Sequence, residues 1–175
     1  MEYIDILNNK GEATGEKKTR SDVHKYGYWH KVILILLVNS REEILIQKRA
    51  PNKEKNPNLW DISCAGHLSS GDSSISGAMR ELEEELGIKP NENNMKLIDT
   101  IRRSYSPKEG FIENEIQDIY LYREDVEIKR IKIQKEEVSE VKFIPFEIYI
   151  KESLSNNKEF VERGNEFREI LKQIK

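Results

Sequence analysis

Three glutamates, Glu81, Glu84 and Glu85, stand in the run Arg80-Glu81-Leu82-Glu83-Glu84-Glu85-Leu86-Gly87. On a helix turning about 100° per residue they share an arc of roughly 100°. Ile75, Ala78, Met79, Leu82 and Leu86 form an apolar stripe that points away from that arc. One face therefore holds the helix to a core, and another presents three converging carboxylates. Like charges at i,i+3 and i,i+4 repel by a few tenths of a kcal/mol, roughly, per pair. The last helical turn disfavours anions as well. A divalent cation removes both penalties, and magnesium takes hard oxygen ligands together with substrate phosphates. With no cation, the run reads as a solvated acidic face.

The helix that carries these groups is predicted over Ser73–Leu86. Asp72 or Ser73 caps its start, Gly87 occupies the C′ position, and Pro90 follows. Strands are expected at Glu2–Leu7, Lys31–Val38, Glu43–Arg49, Met95–Arg103, Glu115–Arg123 and Glu140–Ile144. Lys31–Val38 is apolar and β-branched enough to be buried on both faces. Asn8–Gly11 and Asn39–Glu42 are turn signals. Residues 12–25 are polar and read as loop, as does Pro51–Asn58. Pro145–Glu152 is a short helix and Lys158–Ile174 a longer one, with Phe160, Phe167, Ile170, Leu171 and Ile174 facing inward. Trp60 is expected in the core beneath the loop that leads to the acidic helix, with substrate stacking as its other reading.

A length of 175 residues suits one domain, taken as 1–175 with an N-terminal extension over about 1–30. A net charge of −3, with 35% of residues charged, argues against a nucleic-acid binder. The longest apolar run, Val32–Val38, is too short to span a bilayer. No charged-then-apolar leader opens the chain, and its single cysteine, Cys64, fits a reducing cytoplasm. Cys64 itself reads as a small buried residue.

Gly66, five residues, Asp72, seven residues and Arg80-Glu81-Leu82-Glu83-Glu84-Glu85-Leu86-Gly87-Ile88 together resemble the Nudix box, G-x5-E-x7-R-E-U-x-E-E-x-G-U, where U is a bulky aliphatic residue. The box would span Gly66–Ile88, and eight of its fixed positions match. Asp72 stands where the family has Glu, one methylene shorter, and the departure touches the ion pair that orients the helix. The resemblance implies an α/β/α sandwich with a mixed sheet between helices. It also implies that the box holds Mg2+, or Mn2+, through Glu81, Glu84 and Glu85, with the Gly66 carbonyl as a fourth ligand. Arg80 would orient the carboxylates while water attacks a diphosphate. A homodimer is the common assembly in such families.

A narrower resemblance, over Tyr3–Ile88, is to the branch related to isopentenyl diphosphate isomerase. It rests on Asp5, Gly15, Arg20, His24 and His30, on Gln47-Lys48-Arg49, and on Pro57 through His67. Downstream, Glu113-Asn114-Glu115 is similar to that isomerase's acidic pair. The resemblance implies a second metal site from His24, His30, His67, Glu113 and Glu115. Such a site suits a transition metal as well as magnesium. Two departures argue against isomerisation. Ala65 stands where the isomerase has its thiol, and Cys64 lies one residue earlier, on the opposite face of a strand. The hydrolytic box is also intact.

The leading reading is a Mg2+-dependent hydrolase of a nucleoside diphosphate linked to another group, X. Glu84 and Glu115 are the two candidates for general base. His67 is a candidate phosphate contact or a structural histidine, and Lys48 and Arg49 end a strand where they could hold phosphate oxygens. The alternatives are an isomerase-like enzyme using Cys64, and a non-catalytic nucleotide- or metabolite-sensing domain. A pure sensor has no use for the costly glutamates. Selectivity for X is expected in loops around 12–30, 50–58 and 104–114.

Overall fold

The computed structural model describes residues 3–155 and 157–174. Its spine is β3 (Trp29–Val38), in which Ile33 through Val38 have no exposed surface. One edge of β3 runs parallel to β8 (Phe111–Arg123), in register from Trp29↔Asn114 to Val38↔Arg123, and β7 (Met95–Lys108) closes that side antiparallel to β8. The other edge of β3 is shared by three strands in succession. β1 (Tyr3–Leu7) meets it at Trp29, β6 (Cys64–His67) at Val32–Ile35, and β4 (Glu43–Arg49) at Val38 alone.

That single pairing, Val38↔Ile44, is the hinge of a fork. Beyond it β4 leaves β3 and pairs with β9 (Val138–Pro145) on one side and β5 (Trp60–Asp61) on the other. Ser63 is the wedge. The Leu37 N–H donates to its hydroxyl oxygen at 2.8 Å, and its O–H donates to the Leu45 carbonyl at 2.5 Å. Two backbone groups that strand pairing would have satisfied are thus satisfied by a side chain. The chain then turns into β6, which follows β3 and not β4.

Helices cover both faces. α2 (Ser74–Leu86) lays Ala78, Leu82 and Leu86 on Ile33, Ile35, Leu37, Cys64 and Tyr122. On the other face α3 (Phe146–Leu154) and α4 (Asn165–Gln173) pack Phe146, Tyr149, Phe167, Ile170 and Leu171 against Leu34, Leu36, Ile44, Ile46 and Ile119. Each fully buried aliphatic side chain contributes about 1.5–3 kcal/mol. The expected α/β/α architecture with a mixed sheet is the one observed.

Three local expectations are corrected. Residues 12–25 are not a loop: they form β2 (Ala13–Thr19) and α1 (Arg20–Tyr26). β2 shows no apolar alternation because it is an exposed edge strand on β1. α1 is only seven residues long, capped by Thr19, whose hydroxyl accepts the Asp22 N–H, and ended by left-handed Gly27. The last helix begins at Asn165, not Lys158, because 159–161 run alongside β5 and Gly164 adopts φ 83°. β7 and β8 also extend as a hairpin past the predicted ends, to Lys108 and from Phe111. The first residue of the predicted N-terminal strand, Glu2, lies outside the described residues.

Candidate functional site

The fork between β3 and β4 opens into a cavity of about 310 Å3. α2 forms one wall. Its N-cap is Ser73, whose hydroxyl accepts the Ser76 N–H at 3.2 Å, and Gly87 ends it with φ 64°. Gly66 on β6 lies directly beneath Glu81. A methyl group there would sit 2.1 Å from the Glu81 carboxyl carbon, so only a glycine lets the carboxylate rest on the strand. Two residues earlier on the same face, the Cys64 thiol donates to Glu85 Oε2 at 3.1 Å, and Gln47 of β4 donates its amide N–H to the same oxygen at 3.2 Å.

Glu81 and Glu85 are therefore not on a solvated face: they are 8% and 6% exposed. Burial, reinforced by neighbouring Glu81, pushes Glu85 up to about 7. Glu84 is exposed and is held by Arg80, whose Nη1 donates to Glu84 Oε2 at 3.0 Å and to Glu81 Oε1 at 2.9 Å. Arg80 Nε reaches Asp72 at 3.3 Å, so the shorter acid still closes the helix-orienting pair. Arg80 Nη2 also donates to the His67 carbonyl at 3.4 Å, tying helix to strand.

The opposite wall of the cavity carries Glu115, which is buried and accepts a hydrogen bond from the Gln117 amide. Arg49 lines the cavity, whereas its neighbour Lys48 does not. Alternation along β4 turns Lys48 to the other face, where its amine lies 5.7 Å from the Trp60 ring centre. Trp60 is buried in the core and is not among the cavity-lining residues.

A second cluster lies beside the first. His24 of α1, His30 of β3, His67 of β6 and Glu113 of β8 bring ligand atoms within 4.8 Å of one another. Nδ1 of His24 donates to the Arg20 carbonyl at 2.8 Å and Nδ1 of His30 to the Tyr28 carbonyl at 3.0 Å. A carbonyl only accepts, so each ring carries its proton on Nδ1 and turns a bare Nε2 inward. His24 Nε2 lies 3.1 Å from His67 Nε2 and 3.2 Å from Glu113 Oε2. His30 Nε2 and Glu113 Oε2 are buried with no hydrogen-bond partner. Burial holds His24 and His30 down at about 4, and His67 well below its usual value. Neutral rings, inward lone pairs and orphaned buried atoms are what a bound cation requires. Lys55 pairs with the other Glu113 oxygen, and burial lowers its amine to about 8. Glu115 is not part of this group and faces the box cavity instead.

Cys64 and Ala65 separate as expected. Cys64 packs in the α2 cluster, while Ala65 lies against the opposite one, on the face that His67 shares. Burial and neighbouring Glu85 raise the thiol well above its usual range. Gln47 and Asp61, which carried the narrower resemblance without a site role, line the cavity, as do Lys55, Tyr105 and Arg163, which the sequence did not single out. The alternation Gln47, Arg49 on β4 was the one available signal, and it selects Gln47.

The fold is a mixed sheet between helices, forked beside a helix that presents buried glutamates to the cavity. A NUDIX domain model matches residues 28–164. Nudix hydrolase 3 of Arabidopsis thaliana is 40% identical over 152 residues, 85% of this chain and 20% of that protein, so the chain spans about a fifth of that relative. An uncharacterized Nudix hydrolase of Listeria monocytogenes is 35% identical over 161 residues, 92% of this chain and 89% of that protein. An isopentenyl-diphosphate Delta-isomerase of Serratia proteamaculans is 31% identical over 121 residues, 69% of this chain and 65% of that protein. The crystal structure of a Deinococcus radiodurans protein shares the fold, with TM-score 0.72 over 98% of both chains at 20% identity. The chain belongs to the Nudix family and is an enzyme of its hydrolase group. No described helix is long and apolar enough to cross a membrane.

Proposed function

We propose that the chain is a divalent-cation-dependent pyrophosphohydrolase whose substrate is a nucleoside diphosphate linked to a second group. The observation that carries this reading is the pair of buried carboxylates, Glu81 and Glu85, set over the Gly66 backbone and facing a cavity that arginines and lysines also line. Glu81, Glu84, Glu85 and the Gly66 carbonyl would hold Mg2+, or Mn2+. When bound, the ion would neutralise the diphosphate and acidify water. Arg80 fixes Glu81 and Glu84 in place. Arg49 holds phosphate oxygens. Glu115 takes the proton of the attacking water. Glu84 is committed to a guanidinium, whereas Glu115 accepts an uncharged amide, which supports Glu115 as the base.

His24, His30, His67 and Glu113 would hold a second cation, of a kind that accepts imidazole nitrogen. His67 then belongs to that pocket, and its backbone carbonyl, not its ring, meets Arg80. Isomerisation through Cys64 is disfavoured because the thiol faces Glu85 and not the histidines. A buried, free cysteine supports a reducing compartment, and we place the enzyme in the cytoplasm. The test is a mass-resolved product assay on nucleoside di- and triphosphates, nucleotide sugars, dinucleotides and isopentenyl diphosphate, with Mg2+ and with chelator. Cleavage of a phosphate bond that chelator and Glu84→Gln both abolish is the expected result. An allylic isomer without cleavage, or binding without conversion, would reject it.

A further inference from the structure

Asp61 of β5 is 1% exposed and carries two arginines. Its Oδ1 accepts Arg163 Nε at 3.0 Å and Arg163 Nη2 at 2.5 Å, together with the Ile62 N–H at 2.8 Å. Its Oδ2 accepts Arg49 Nη1 at 3.3 Å. Arg163 is itself only 9% exposed. Both guanidiniums line the cavity that holds Glu81 and Glu85. One carboxylate is thus shared by two guanidiniums in a sparsely solvated place, where each charge needs a partner. Burial alone would raise Asp61, yet the two arginines outweigh it and hold the carboxyl below its usual range.

Nor is Arg163 there by accident of a helix. Residues 159–161 dock on β5 as a short parallel strand: the Trp60 N–H donates to the Glu159 carbonyl at 2.8 Å, and the Val161 N–H to the Trp60 carbonyl at 2.9 Å. From the other leaf of the fork, Arg103 of β7 donates to the Glu162 carbonyl at 3.1 Å and to its carboxylate at 3.0 Å. The segment thus bridges both leaves, and Gly164 then turns the chain into α4. Asp61 binds the Nε and Nη2 edge of the Arg163 guanidinium and so fixes its plane. A buried ion pair is a poor source of stability compared with apolar packing. It is a good way to fix a planar, two-pronged donor in one orientation.

We propose that Arg163, oriented by Asp61 and flanked by Arg49, forms an oxyanion subsite that takes a phosphoryl group of the substrate on the wall opposite the glutamate helix. Arg163 is a specificity-determining residue and Asp61 a positioning residue. The inference rests on the reading of this cavity as the substrate site, and it narrows the substrate to one whose phosphoryl groups reach both walls.

The test uses inorganic pyrophosphate as the probe, titrated calorimetrically into the full chain with chelator present. The chelator leaves the glutamates without a cation, so binding reports on the arginines. Wild type binds, Arg163→Gln weakens binding by about tenfold or more, and Arg163→Lys falls between them. Should Arg163→Gln fail to fold because it strands the Asp61 charge, the double variant Asp61→Asn/Arg163→Gln removes both charges and shows the same loss. On a hydrolysed substrate, Arg163→Gln raises KM by a similar factor and leaves kcat within a few-fold. Pyrophosphate binding equal to wild type in a folded Arg163 variant overturns the subsite, as does no binding by wild type. If no panel member is hydrolysed but pyrophosphate binding follows Arg163, the subsite stands and the hydrolase reading falls. Hydrolysis with unaltered pyrophosphate binding gives the reverse.

Discussion

Replacing Gly66 with alanine should separate cation binding from folding. The backbone of Gly66 is not in the left-handed region, so alanine is conformationally admissible. Its methyl would nonetheless lie 2.1 Å from the Glu81 carboxyl carbon and 2.3 and 2.4 Å from the two oxygens, about 1.3 Å short of the 3.4 Å where ordinary contact begins. α2 cannot retreat, because Ala78, Leu82 and Leu86 are fully buried beneath it. The Glu81 carboxylate must swing aside, against its 2.9 Å bond to Arg80. Overpacking of this kind costs about 1–3 kcal/mol, and the melting temperature should fall by roughly 3–9 °C. Displacing a functional group by about 1 Å can cost on the order of a hundredfold in rate. Mn2+ affinity, followed by the paramagnetic signal of the free ion, should therefore drop by about tenfold or more, and turnover further. Adding Glu81→Ala to Gly66→Ala should restore the melting temperature and not the affinity. Wild-type Mn2+ affinity in a folded Gly66→Ala protein would refute the placement of Glu81 as a ligand over the glycine.

Other perturbations follow from the same geometry. Ser63→Ala removes the wedge and strands the Leu37 N–H and the Leu45 carbonyl, each costing about 1–3 kcal/mol, so urea denaturation should show a loss of about 2–6 kcal/mol. Glu115→Gln should lower kcat by roughly a hundredfold or more with KM little changed, if it is the base. Cys64→Ser keeps a donor to Glu85 and should retain turnover within a few-fold, while an isomerase dependent on the thiol would lose it. In chelator, His24 and His30 bind protons less readily folded (about 4) than unfolded (6.5). The native state then holds fewer protons between those values, so stability is present near neutrality and is lost as pH falls from about 6.5 toward 4. The denaturation midpoint in chelator should follow that slope, and His24→Gln/His30→Gln should flatten it.

The glutamate helix was legible because its signals are local: a Ser cap, a Gly stop, an apolar stripe and three acids at helical spacing. β3 was legible from its unbroken apolar run. The residues around them were not, for identifiable reasons. β2 is exposed along most of its length and exists through pairing with β1, so no periodicity marks it. α1 buries only Val23 and His24, too little to write a stripe, although it is the element that brings His24 to the histidine pocket. Phe160 and Phe167 share helical spacing, which reads as one helix through Lys158–Ile174. What breaks it is docking of 159–161 on Trp60, a contact about a hundred residues away in sequence. Asp61 and Arg163 are unremarkable charges until the fold joins them. The burial of Glu81 and Glu85, expected only as converging carboxylates on one helix face, likewise depends on the fork, where Ser63 bonds both leaves.

The central claim is that water attacks phosphorus at this fork. The direct test is to run the substrate panel with Mg2+ in 18O-enriched water and weigh the products. The account predicts one solvent oxygen on a phosphoryl product, absent with chelator. An allylic isomer of isopentenyl diphosphate carrying no label on phosphorus would contradict it.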